Sequence, residues 1–178
     1  MKTRIALLSV FLAATLQATT FSTLPTALKQ VLPAGQKTFK AKLVVDAAQA
    51  KTLNAFGHGD FLEDDEFDVF YTKDASGKVS GVAVHLSEYL VRWKSSHSWV
   101  VGLTPDGRLT GVAVVELSDK YAAPLADAAF LKQFAGKTPA QAGYGKGMDA
   151  VAGASESCQL LSSSLQRAAW IATHTPMP

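Results

Sequence analysis

The spacing of apolar positions changes twice along this chain, and the changes divide it. Over residues 37–45, KTFKAKLVV alternates in part and predicts a strand. Asp46 stands where an N-cap is wanted, and AAQAKTLNAF predicts a helix stopped by Gly57. An acidic loop, DFLEDDEFD, leads into a series of strands: FDVFYTK, VSGVAVHLS, SWVVGL and LTGVAVVEL. Two of the connections, DASGK and TPDG, carry Asp and Gly where tight turns require them. The GVAV stretches at Gly81 and Gly111 read as two similar strands, because nothing around them repeats.

Helical spacing returns at residue 124. PLADAAFLKQFAG places Leu125, Ala129, Phe130, Leu131 and Phe134 near one face, with Gly136 as its stop. A Gly-rich link, QAGYGKG, leads to MDAVAGASES and a last helix over 156–173. Leu160, Leu161, Leu165, Ala168, Ala169 and Trp170 give that helix an apolar stripe. Strands grouped between helices imply an α+β fold, a twisted antiparallel sheet with a C-terminal helix after it.

Composition adds limits. With 178 residues, 48% of them apolar, the chain suits one domain with a small extension. Lys2 and Arg4 precede an apolar run over 5–16 and small residues near Ala18, the order of a secretory signal. That run falls short of the roughly 20 apolar residues a membrane span needs. The expected organisation is a targeting segment over 1–18, a leader over 19–36 interrupted by Pro25 and Pro33, and the functional domain over 37–178. The expected location is the periplasm or another exported compartment, with an uncleaved N-terminal anchor as the alternative.

Lys2 and Arg4 also account for the whole net charge of +2, so the remainder is balanced. No basic field invites DNA or any other nucleic acid. Cys158 is the single cysteine, which excludes an internal disulfide and a CxxCH haem site. His58, His85, His97 and His174 lack metal-ligand spacing and read as ordinary surface or cap residues. LEDDE reads as a solvated acidic loop, and no Ser-His-Asp spacing or paired carboxylates suggest a catalytic site.

Candidate chemistry gathers at MDAVAGASES. Gly153 can make a turn, Ser155 can cap the following helix, and Glu156 suits the helix dipole. The same arrangement suits a phosphate, because a helix N-terminus offers free N–H groups. Gly153 and Ala154 leave the backbone open to a ligand, and Ser155 supplies a hydroxyl for contact or esterification. Cys158, near the same terminus, is a candidate for a lowered thiol pKa.

Three blocks in order give this reading a wider basis. They are WVVGLTPDGRLTGVAVVEL, FLKQFAGK at 130–137, and Asp149-Ala150-Val151-Ala152-Gly153-Ala154-Ser155. Over residues 79–172 the chain resembles the FMN-binding domain family, found in subunits of Rnf-type and sodium-pumping NADH:quinone oxidoreductases and in stand-alone exported flavoproteins. That family ends in Asp-x-x-Ser/Thr-Gly-Ala-Thr followed by a helix. The resemblance implies FMN as cofactor, joined to Ser155 through a phosphoester by a flavin transferase, with Asp149 in the transferase recognition motif. It implies phosphate contacts from Gly153, Ala154 and the backbone N–H groups around Ser157 and Cys158. Asp119 falls at the family's acidic position after the sheet, and Tyr121 and Trp99 are candidates to flank the ring. Ser155 stands where the family usually has Thr, Ala152 where it has Ser or Thr, and SDKYAAP lacks the family's glycine. The implied role is an exported electron carrier served by a membrane or periplasmic redox partner. A non-redox binding or interaction domain is the alternative, and an oxidoreductase acting on a small substrate a third reading.

Overall fold

The computed structural model describes residues 18–178; the basic and apolar run of the expected targeting segment lies outside them. Six strands form one sheet: β1 (Thr19–Thr20), β2 (Thr38–Val44), β3 (Glu66–Lys73), β4 (Val79–Leu90), β5 (Ser95–Leu103) and β6 (Leu109–Leu117). Their order is β1-β6-β5-β4-β3-β2, and every neighbouring pair is antiparallel. Four α-helices accompany them: α1 (Leu24–Val31), α2 (Ala47–Ala55), α3 (Ala128–Leu131) and α4 (Ser155–His174). The fold is α+β, as the grouping of strands between helices implied.

Each sheet face has its own cover. On one face α1 lays Ala27 and Val31 against Ala83, Val100 and Ala113. The contact is close because Gly102 has no side chain, and a Cβ there would stand 2.5 Å from Val31 Cβ. Thr110 Oγ1 ties the end of α1 to the sheet by donating to the Val31 carbonyl at 2.7 Å. Residues 19–36, read as a leader, thus supply an edge strand and a covering helix. On the other face α4 packs Leu160, Leu161, Leu165 and Ala168 onto Val84, Leu86, Trp99 and Val101 in the main core.

Strand β6 keeps Leu109, Val112, Val114 and Leu117 in that core although their spacing is not a strict period of two. Two register shifts against β5 insert one extra residue each and restore the inward face after each bulge. α2 begins with a capping box: Gln49 N–H donates to Asp46 Oδ1 at 2.8 Å and Asp46 N–H donates to Gln49 Oε1 at 3.0 Å.

The helix expected from Pro124 to Gly136 is broken. It consists of a 3₁₀ turn over Ala123–Ala126, the single-turn α3, and a second 3₁₀ turn over Lys132–Phe134. Asp127 lies at the break with an extended ψ of 134°, the conformation of an N-cap, and it restarts the chain instead of continuing it. Leu125 and Phe134 still reach the core, whereas Ala129 is exposed.

The β4–β5 hairpin is longer than the apolar runs suggested. β4 continues to Leu90 and β5 starts at Ser95, with Glu88 opposite His97 and Leu90 opposite Ser95. This polar extension places the buried residues Ser95 and His97 by the start of α4 and Glu88 by its middle.

Candidate functional site

α4 is seated by polar groups as well as by leucines. Three consecutive serines, about 100° apart around the helix, reach different neighbours. Ser162 Oγ accepts from Tyr144 N–H at 3.1 Å, and Ser163 Oγ donates to the Phe56 carbonyl at 2.8 Å. Ser164 Oγ meets the Glu88 carboxylate and the Leu160 carbonyl. Arg167, fully buried, pairs with Glu88 and donates through Nη1 to the Gly57 carbonyl. Burial pushes the Glu88 carboxyl up, and Arg167, Ser164 and Trp99 oppose that push.

The N-terminus of α4 opens on a cavity of about 680 Å³. Its walls are residues 153–157, the loop after β6 (Ser118, Asp119, Lys120, Tyr121) and Ser95 at the start of β5. Gly153 adopts a φ of 82°, in the left-handed region, and so turns the chain into the helix. The helix starts at Ser155 with Ala154 as N-cap and no side-chain cap. Ser155 therefore does not cap the helix, and its side chain is exposed at the cavity. The first intrahelical bond is Cys158 N–H to the Ala154 carbonyl at 2.9 Å. The N–H groups of Ser155, Glu156 and Ser157 precede that bond and have no partner among the described residues.

Beneath this turn lies a buried polar chain. Ser157 Oγ donates to Asp119 Oδ2 at 3.0 Å, and His97 Nε2 lies 2.9 Å from Ser157 Oγ. A hydroxyl has one proton to give, and an ionised carboxylate can only accept. With that proton directed to Asp119, His97 Nε2 carries the hydrogen donated to Ser157. The neutral ring is then the Nε2–H tautomer, which leaves the lone pair on Nδ1; Nδ1 is buried beside the Ser95 backbone and makes no well-formed hydrogen bond. Burial lowers the His97 pKa, while the Asp119 charge and the nearby Ser95 backbone favour the charged ring. Asp119 also accepts from Tyr121 N–H at 2.9 Å, which fixes its own loop. Ser95, 2% exposed, has no partner for its hydroxyl and lies in the cavity wall.

The cavity brings together six of the residues expected from the sequence: Gly153, Ala154, Ser155, Ser157, Asp119 and Tyr121. Asp149 and Cys158 are outside it. Asp149 is exposed, and its N–H donates to Gln133 Oε1 at 2.7 Å. Lys137 Nζ donates to the Gly147 carbonyl at 2.7 Å, so FLKQFAGK clasps the turn leading to the site. Cys158 is fully buried in the core, its N–H serves the helix, and its Sγ accepts weakly from Val151 N–H at 3.5 Å. Burial raises its thiol pKa, contrary to the lowering expected of a helix N-terminus. Trp99 is fully buried and has no face toward the cavity wall, whereas Tyr121 is 60% exposed.

His97 and Ser95 are the residues the sequence reading missed. The signal lay in the strand period: Trp99, Val101 and Leu103 alternate inward, and stepping back by two and four residues places His97 and Ser95 on the same face. No cluster of metal-ligating side chains occurs among the described residues, and no helix there is long and apolar enough to cross a membrane.

No protein-family model and no curated protein sequence matches the chain. Among solved structures, it is similar to NqrC of Shewanella oneidensis, with a TM-score of 0.46 and 21% identity, over 74% of this chain and 62% of that one. The chain thus spans less than two thirds of that structure's length.

Proposed function

We propose that this chain is an exported electron-transfer domain carrying FMN, with the flavin phosphate esterified to Ser155. The observation that carries this reading is the exposed Ser155 hydroxyl in the first turn of α4, beside three unpaired N–H groups and at the mouth of a cavity of about 680 Å³. That volume is within the roughly 300–1,000 Å³ range of small-molecule sites. The donor set suits a phosphate, which would take the N–H groups of Ser155, Glu156 and Ser157 at the positive end of the helix. Gly153, which lacks a side chain, leaves the approach clear, and a Cβ there would meet no atom within 4 Å. The unpaired Ser95 hydroxyl supports a polar ligand edge at the inner wall. Tyr121 supplies an exposed aromatic surface at the rim, with Lys120 Nζ 4.8 Å from its ring centroid.

When bound, FMN would supply the electron chemistry, and the protein would position it and tune it through nearby dipoles. Attachment forms a bond from Ser155 Oγ to the FMN phosphorus and breaks the FAD pyrophosphate, releasing AMP. A flavin transferase performs that step, and a membrane or periplasmic redox partner exchanges electrons with the loaded domain. Asp149, exposed on the clasped turn outside the cavity, is accessible to such a transferase.

Intact mass of the chain co-produced with a flavin transferase tests the reading. The expected result is a gain of one FMN less water in the wild type and no gain in Ser155→Ala. An unmodified, colourless wild type would overturn covalent attachment and favour a non-redox binding domain.

A further inference from the structure

The buried chain from the cavity to His97 has a consequence for whatever charge the cavity takes up. Asp119 and Ser157 both line the cavity, and Ser157 Oγ joins Asp119 to His97 through two hydrogen bonds of 3.0 and 2.9 Å. Ser157 and His97 are both fully buried. The Ser157 N–H belongs to the unpaired set at the start of α4, so an anion bound there sits one residue's breadth from the serine that holds His97. His97 Nδ1, buried and beside the Ser95 backbone but without a well-formed hydrogen bond, is the position at the far end.

We infer that His97 is a charge-compensating residue: an anionic group seated at the start of α4 draws a proton onto Nδ1 of His97 through the Asp119–Ser157–His97 chain. The inference rests on the flavin reading for its ligand. The step balances simply. A solvent proton adds to the Nδ1 lone pair, the ring gains one positive charge, and no bond to Ser157 or Asp119 breaks. Nε2–H continues to donate to Ser157, and Ser157 continues to donate to Asp119.

The charges around His97 favour this response. Asp119, on the loop after β6, is the carboxylate that favours the charged ring. Glu88 lies opposite His97 on β4, but Arg167 from α4 pairs with it and offsets its charge. Cys158, also from α4, is held neutral by burial. Glu156 and Lys120 stand in the cavity wall with opposite charges. The ring is therefore poised as a neutral base, and an added phosphate anion, singly charged when esterified to Ser155 and doubly charged in free FMN, changes the field most directly along the bonded chain. Ser95 provides the independent sign that the cavity takes a polar ligand, since its buried hydroxyl is left without a partner there.

His97 is a positioning residue in this scheme, since it acts through Ser157 and has no place in the cavity wall. The test is a pH titration of the His97 ring by NMR, using the full chain labelled in histidine with ¹³C. Spectra are compared without flavin, with FMN (attached by the transferase or added free) and with riboflavin, which lacks the phosphate. The expected result is an upward shift of the His97 titration with FMN and none with riboflavin. Asp119→Asn should move the titration downward in the free and the FMN-loaded chain, because it removes the carboxylate that favours the charged ring, and it should shrink the difference between the two. Flavin fluorescence on the same samples reports occupancy. Bound FMN with an unmoved His97 titration would overturn the inference and leave the flavin reading intact. Absence of bound flavin by either route would overturn both.

Discussion

The first turn of α4 and its middle belong to one helix but use polar residues in opposite ways. In the middle, Ser162, Ser163, Ser164 and Arg167 are buried, and each is matched to a neighbour: Tyr144, Phe56, Glu88 and Gly57. In the first turn, three N–H groups are unpaired and the Ser155 side chain is exposed. Buried polar groups left without partners are costly, so a fold retains them where something else completes them or where water does. The middle of α4 is therefore architecture. The first turn is a surface kept open, and Ser157 is the residue that joins the two regimes.

The sharpest way to break this comparison is to remove a partner in the middle. Arg167→Met leaves the Glu88 carboxylate buried without its cation, and the loss of one member of a buried pair costs about 3–5 kcal/mol. Urea unfolding should show that loss. The double variant Glu88→Leu/Arg167→Met should recover most of it, because two well-packed apolar groups remove both desolvation costs. A double variant as unstable as the single one would mean that the pair also fixes the helix position.

A second effect is smaller and depends on pH. Burial lowers the pKa of both His97 and His85 from the ordinary value of 6.5. The unfolded chain then binds more protons than the folded one, so stability is full above about 6.5 and declines as pH falls through it. Chemical denaturation at pH 7.5 and 5.5 should show the decline, with His97→Gln reducing the slope and not merely the level. An unchanged slope would mean that His97 binds protons alike in the folded and unfolded chain, and a steeper one that its ring is held charged in the folded protein.

Where the sequence was legible, local chemistry and packing agreed. Asp46 caps α2 as its place suggested, the turns at DASGK and TPDG join adjacent strands, and the leucine stripe of α4 faces the sheet. The Asp127 break was missed because apolar spacing continues across a restart that only backbone geometry reveals. His97 and Ser95 were missed because a polar strand lacks the apolar contrast on which alternation is read, and their burial depends on α4, which lies some sixty residues further along the chain. Trp99 and Cys158 were drawn toward the site by residue type, and packing places both in the core instead. The broad fold was therefore readable from periodicity, whereas the inner wall of the site is a product of tertiary contact.

The smallest expected effect separates the two halves of α4 most cleanly. Ser155→Ala removes a hydroxyl that caps nothing and has no partner among the described residues. Its unfolding free energy should stay within about 0.5 kcal/mol of wild type, as for ordinary surface substitutions. Ser163→Ala, eight residues along the same helix, should cost about 1 kcal/mol because the Phe56 carbonyl loses its donor. Equilibrium urea unfolding of the two variants side by side measures the difference. Equal costs would mean that Ser155 contributes to holding the helix and that the first turn is closed structure. A silent Ser155→Ala would leave its hydroxyl without a structural duty, which is the condition an attachment point must meet.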